Sequence, residues 1–198
     1  MQPRAGMYGL LAGAVLWASS ALAAPMSMIT GDYTSQPIGH YDFCERNPAE
    51  CRIEMRDKGP LTMTRAVWQM IVDINVSVNQ AIAPLDDLAI YGLEEFWDYP
   101  VDVGDCEDYV LEKRRLLHAA GIPLSNLLIT VVRKPDREGH AVLTVRTDHG
   151  DFILDNLTDA VLPWQETRYT FLKRQAATHT GRWVLIDGFQ SPLVSAVE

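Results

Sequence analysis

Positive charge, cysteine and long apolar runs are all scarce in this chain. Against 26 Asp and Glu stand 17 Lys and Arg, a formal net charge of −9. So acidic a chain is a poor partner for nucleic acid or for an anionic membrane surface, because both repel it. A single apolar run stands out, from about residue 7 to residue 18, behind one early cation at Arg4 and ahead of the small-residue site Ala21-Leu22-Ala23. That is the three-part layout of a secretory signal peptide. Its apolar core is too short and too rich in Gly and Ala for a good membrane span, an uncleaved anchor being the bland alternative. The expectation is a signal peptide over 1–23 and one exported domain over 24–198, periplasmic or secreted. A chain of that size can bury a real core. No internal repeat or low-complexity segment interrupts it.

The three cysteines are Cys44, Cys51 and Cys106. Export makes disulfides possible, and the simplest arithmetic pairs Cys44 with Cys51 across "FCERNPAEC", leaving Cys106 free. Closing so short a loop stabilises a fold by about 2.5 kcal/mol on the chain-entropy estimate. A zinc site is the rival, although two cysteines without a nearby His pair make a poor four-ligand set.

What is present divides into helices first and strands second. In "PLTMTRAVWQMIVDINVSVNQAIAP" the apolar residues Val67, Met70, Ile71, Ile74, Val78 and Ile82 recur at helical spacing. Thr62 or Thr64 can cap the start and Pro84 ends the run, so this is a long scaffold helix. Residues 85–104 carry Gly, Pro and clustered aromatics without a period and read as a loop, whose Trp97 and Tyr99 either line a cleft or simply pack. A second helix over 106–120 has Asp105 as N-cap, acids in its first turn, basic residues toward its end and Gly121-Ile122-Pro123 as its stop. Strand signals follow at 127–134, 140–146 and 151–157, the last two flanking Thr147-Asp148-His149-Gly150, with later strands at 168–175 and 183–187. That order predicts α+β, a nucleophile helix packed on an antiparallel sheet.

The chemical question is posed by "GDCEDY", one thiol among three carboxylates. Neighbouring negative charge disfavours a thiolate. A first-turn position has the opposite effect, since unpaired amides and the positive dipole end favour it. The acids can be occupied in capping backbone N–H groups. A buried structural cysteine is the plain alternative. A reactive thiol needs an imidazole, and the imidazole needs an acceptor. If Asp148-His149 is a two-residue loop, Leu143 opposes Leu154, and His140 and Asp155 become diagonal neighbours on one face. A slip by one residue would separate them. The remaining histidines are weaker candidates. His118 lies about 18 Å along the cysteine's own helix. His149 is a turn tip, His40 sits beside the cysteine pair and His179 in a polar loop, and each is expected to be solvated.

Together, "GDCEDYVLEKRRLLHAAGIP", "GHAVLTV" and "FILDNL" resemble the bacterial transglutaminase-like cysteine proteinases. These are a papain-like branch that includes the LapG-type periplasmic adhesin proteases. The likeness runs over about residues 40–187, with 168–187 closer to stand-alone members. It implies a papain-like, transglutaminase-like fold with Cys106 as nucleophile, His140 as general base and acid, and Asp155 as orienting acid. It also implies calcium on the acids flanking the nucleophile, which match Asp105, Glu107 and Asp108. Protein or peptide substrates, including a cell-surface adhesin, and an inner-membrane regulatory receptor are the partners it suggests. The Cys106 backbone N–H is one oxyanion donor; Asn79, Gln80 and Trp97 are candidates for the second. The same triad could instead run acyl transfer to an amine, as a transglutaminase or amidase, or persist in a calcium-dependent binding module.

Overall fold

The computed structural model describes residues 27–187; the expected signal peptide over 1–23 lies outside them. In chain order the elements are β1 (Thr30–Thr34), α1 (Ile38–Arg46), α2 (Pro48–Cys51), α3 (Arg65–Ala81), β2 (Ala83–Pro84), α4 (Asp87–Tyr91) and β3 (Val103–Gly104). Then come α5 (Cys106–Ala119), β4 (Leu127–Arg133), β5 (Gly139–Thr147), β6 (Gly150–Leu154), β7 (Leu162–Pro163), β8 (Thr170–Ala176) and β9 (His179–Ile186).

The expected scaffold helix is α3. Thr64 is the N-cap that the structure uses, its hydroxyl accepting the Val67 N–H at 3.1 Å. The chain leaves the helix at Ile82, just ahead of Pro84, which could not continue it. Seven strands form one antiparallel sheet in the order β1-β9-β8-β4-β5-β6-β7. The nucleophile helix α5 lies on β5 and β4, and α3 packs behind α5, which makes the predicted α+β layering. On the α5 face Leu127, Ile129, Ala141, Leu143, Val145 and Leu154 meet Val110, Leu111 and Leu117 of the helix. Val132, Val142, Ile153 and Phe171 form a second, smaller core on the opposite face.

The β5–β6 hairpin has the register expected of a two-residue Asp148-His149 loop, with Thr147 opposite Gly150 and Leu143 opposite Leu154. Gly150 closes it at φ 108°, a left-handed conformation that a side chain would strain. Cys44 and Cys51 are joined by a disulfide, so the zinc alternative for that pair falls away.

Several local features differ from the sequence reading. Residues 85–104 contain the short helix α4, ended by Gly92 at φ 71°. Two-residue strands β2 and β3 pair in parallel, Ala83 with Val103 and Pro84 with Gly104. His40 is buried, at 1% exposure, not solvated. It sits edge-on between the rings of Trp97 and Trp183, with Gln36 and Gln175 within hydrogen-bond reach. Trp97 is likewise a packing residue, 2% exposed.

Candidate active site

Cys106 opens α5, half-buried in the first turn. Its sulfur accepts the backbone N–H of Ala141 at 3.4 Å, so it lies against the strand at the residue that follows His140. His140 and Asp155 meet as the hairpin register requires, Nε2 of the imidazole lying 2.8 Å from Oδ1 of the carboxylate. Both are buried, His140 at 7% and Asp155 at 3%. With Nε2 engaged by the carboxylate, Nδ1 is the ring nitrogen left for proton transfer.

The Asp155 carboxylate is held from several sides. Oδ1 also accepts the Leu157 N–H at 3.1 Å, and Oδ2 accepts the hydroxyl of Tyr169. The tyrosine ring stands edge-on to the imidazole, with centroids 5.6 Å apart. Burial pushes the Asp155 carboxyl up, but the bonds from His140, Tyr169 and Leu157 outweigh it and hold the group below its ordinary range. Asn79 of α3 donates to the Asp155 carbonyl at 3.0 Å and to Thr158, and Asn75 donates to Asp159, so α3 anchors the loop that carries the carboxylate. Lys113, fully buried beneath, has no hydrogen-bond partner for Nζ; burial drops its ammonium to about 7 against the pull of Asp155 and Asp159. Tyr169 was not singled out in the sequence, because it lies outside the three motif blocks.

Two of the three candidates for a second oxyanion donor have their groups committed. The Asn79 amide is bound to the 155–159 loop, and Trp97 Nε1 donates to Glu95 at 2.6 Å. Gln80 lies on the exposed side of α3. His118 Nδ1 donates to the Ile122 carbonyl, 3.0 Å away, at the end of α5, and His149 is an exposed turn tip paired with Asp148.

The N-cap acid, Asp105, does not cap the helix through its side chain. Glu107 turns to the sulfur, whose thiol donates to Oε2 at 3.1 Å. Burial first, then the charge of Glu107, holds the Cys106 thiol well above its ordinary range, and the Ala141 N–H pulls the other way. The dipole effect expected from the helix start is therefore outweighed here by desolvation and a neighbouring carboxyl.

A fourth acid joins the three predicted ones. The parallel β2–β3 pairing brings the start of α4 beside the start of α5, and carboxylate oxygens of Asp87, Asp105 and Asp108 lie within 4.8 Å of one another. Glu107 forms a second group of the same size with Asp105 and the Cys106 sulfur. One oxygen of each has no hydrogen-bond partner in the structure: Asp87 Oδ1, Asp105 Oδ1, Glu107 Oε1 and Asp108 Oδ2. Burial above all raises Asp87, Glu107 to about 10 and Asp108 to about 7. Gly104 leaves the space they converge on, since a Cβ there would stand 2.6 Å from Asp108 Oδ2. Four carboxylates with orphaned oxygens and no facing cation suit a hard divalent ion that takes six to eight oxygen ligands. Asp87, twenty residues away in a stretch read as loop, offered no local signal.

Comparison with known proteins gives the family. A family model described as bacterial transglutaminase-like cysteine proteinase matches residues 30–191. Among solved structures, calcium-bound LapG of Legionella pneumophila is similar at a TM-score of 0.51 and 26% identity, over 60% of this chain and 68% of that one. LapG without that description matches at 0.51 and 27% over the same shares, and its EGTA-treated form at 0.51 and 25% over 63% and 69%. No curated protein matches the sequence. The family match covers most of the chain. This chain belongs to the bacterial transglutaminase-like cysteine proteinases.

Proposed function

We propose that this protein is an exported peptidase that hydrolyses a peptide bond through Cys106, His140 and Asp155. The observation that carries the reading is the pairing of His140 with Asp155 on the strand whose next residue, Ala141, donates its N–H to the Cys106 sulfur. His140 takes the thiol proton, and the sulfur attacks the carbonyl carbon of the scissile bond. The Cys106 N–H, at the start of α5, is aimed to donate to the resulting oxyanion. When the tetrahedral centre collapses, the imidazolium gives its proton to the leaving amine and a thioester remains. His140 then removes a proton from water, the hydroxide adds to the thioester carbonyl, and the acid leaves as the thiol is restored. Asp155 keeps Nε2 protonated and the ring in place throughout, and Tyr169 keeps Asp155 in place.

Asp87, Asp105, Glu107 and Asp108 would hold calcium. Bound there, the ion would supply positive charge that satisfies the orphaned oxygens and offsets the carboxylate field at the sulfur. Engaging Glu107 would leave the thiol without its present acceptor. That LapG of Legionella pneumophila is known in a calcium-bound form supports this ion.

Export over a cleaved 1–23 segment fits the Cys44–Cys51 disulfide, which persists in oxidising compartments. Protein substrates follow from the family; a cell-surface adhesin and an inner-membrane regulatory receptor are its named candidates here. The test is Cys106→Ala with intact-mass analysis after iodoacetamide. The wild type should gain one carbamidomethyl, faster with calcium than with EGTA, and cleave peptides; the variant should do neither while keeping its thermal transition. A variant that still cleaves would refute the assignment.

A further inference from the structure

A cavity of about 580 Å³ lies at the end of the sheet between the β4–β5 turn and the β6–β7 loop. Its walls include Pro135, Ile153, Leu157, Ala160, Leu162 and Tyr169, and the buried Asp155 lines it as well. Neither Cys106 nor His140 lines it. Asp155 joins the cavity to His140, which lies 2.8 Å from it, so on the peptidase reading the cavity begins on the carboxylate side of the imidazole, away from the sulfur.

That placement has a chemical meaning, resting on the peptidase reading above. The imidazole must deliver its proton to the departing amine, so the leaving half of a substrate passes on the imidazole's side of the sulfur. A depression just past His140 and Asp155 meets the residues that follow the cleaved bond, not those that become the thioester. Leu157 extends the apolar path: its backbone is tied to Asp155 while its side chain stays 59% exposed beside the catalytic pair. An exposed leucine at the mouth of an apolar cavity is surface that a bound chain can bury.

The lining has one more acid than base, but its charges are largely engaged. Lys134 is paired with Asp136, the Asp155 carboxylate is taken up by His140 and Tyr169, and Glu166 and Arg168 are of opposite sign. With most of the lining charge engaged, discrimination falls chiefly to the apolar walls. The volume lies in the range of sites that enclose small-molecule ligands and has room for a large side chain with its backbone.

We propose that this cavity is the leaving-side specificity pocket, taking a large apolar side chain from one of the first three residues after the cleaved bond. The occupant is a segment of the substrate polypeptide, and burying its side chain there favours cleavage at bonds followed by such a residue.

The experiment compares wild type with Ala160→Trp, a change at an exposed loop position that fills the cavity from its rim. Both digest a peptide library derived from a bacterial proteome, with calcium present, and mass spectrometry reads the residues on each side of every cut. The preferred acyl-side sequence is then made twice, once with a Leu-containing leaving peptide and once with aminomethylcoumarin as leaving group. The wild type should show apolar enrichment at one leaving-side position, and Ala160→Trp should lose it. The ratio of kcat/KM between the peptide and the coumarin substrate should fall at least tenfold in the variant. Leu157→Ala, which trims the path without filling the cavity, should lower the same ratio less. Cleavage with no leaving-side apolar preference, or with preference and ratio unchanged in Ala160→Trp, overturns the pocket and leaves the peptidase reading standing. No cleavage by the wild type overturns both.

Discussion

Replacing Tyr169 by Phe isolates one hydrogen bond in the candidate site. The ring remains, and with it the edge-on contact to His140 at 5.6 Å, while the hydroxyl that donates to Asp155 Oδ2 is lost. Asp155 keeps His140 at 2.8 Å and the Leu157 N–H at 3.1 Å, but both fall on Oδ1. Oδ2 of a carboxylate only 3% exposed is left without a donor. A hydrogen bond to a charged group contributes about 1.5–3 kcal/mol. If the loss is felt in the transition state, kcat/KM falls by about 10- to 100-fold. The sign of the pH effect follows from charge. Without the hydroxyl, more of the negative charge is available to the imidazolium, which then holds its proton more tightly. His140 must be free of that proton to take one from the thiol, so the acid limb of the kcat/KM profile should move to higher pH. The assay is a kcat/KM profile from pH 5 to 10 on one fluorogenic peptide, with thermal melts as control. A tyrosine that served packing alone would lower the melting temperature and leave the profile's shape unchanged. A variant within twofold of wild type, with both limbs in place, would refute the reasoning.

Other perturbations test other parts of the molecule. Calcium at a hundredfold excess over its Kd should add about 2.7 kcal/mol of stability, a rise of roughly 5–11 °C for a domain of this size. Asp87→Asn should shrink that rise, and equal melting temperatures in calcium and EGTA would rule the site out. His40, whose pKa burial and then Arg114 lower to about 3, should give acid sensitivity. The unfolded chain takes up this proton below about 6.5, while the fold refuses it until about 3. Stability is therefore intact above the unfolded value and declines as pH falls toward the folded one, by about 2 kcal/mol between pH 7 and 5. His40→Gln should abolish that share, read as a change in its urea-unfolding difference from wild type between the two pH values; a constant difference would contradict it. Changing Cys44 and Cys51 to Ser should cost about 2.5 kcal/mol for a loop this short, and an unchanged urea midpoint would count against the bridge as a stabilising element.

What could be read from the sequence was local or periodic. The β5–β6 register followed from a two-residue turn, and once that turn is set every cross-strand partner is set, so His140 and Asp155 met as expected. The helix α5 began at Cys106 because its acidic start, basic end and Gly-Ile-Pro stop all agree. What stayed hidden depended on pairings without a local mark. β1 is an edge strand whose Thr30–Thr34 sequence contains one aromatic and no alternation of apolar residues. His40 looked polar because its burial is made by Trp97, Gln175 and Trp183, residues 57, 135 and 143 positions away, which no window around it contains.

The acids of "GDCEDY" show most clearly why the remainder was illegible. At a helix start, three carboxylates are sufficiently explained by capping and the dipole, and nothing nearby in the chain argues otherwise. The reading changes only when the two-residue β2–β3 bridge delivers Asp87 to the same space. Asp105 makes no capping bond through its side chain, and although Asp87 Oδ2 and Asp108 Oδ1 accept the Phe96 and Asp98 amides, each of the four acids keeps a buried oxygen without a partner among the described residues. Gathering acids at a thiol is costly for a nucleophile unless a cation answers them, because burial and Glu107 both hold the Cys106 proton in place. On the proposed function the acids and the triad form one device: the carboxylates that hold the thiol proton in place when bare would be the ligands whose occupation releases it.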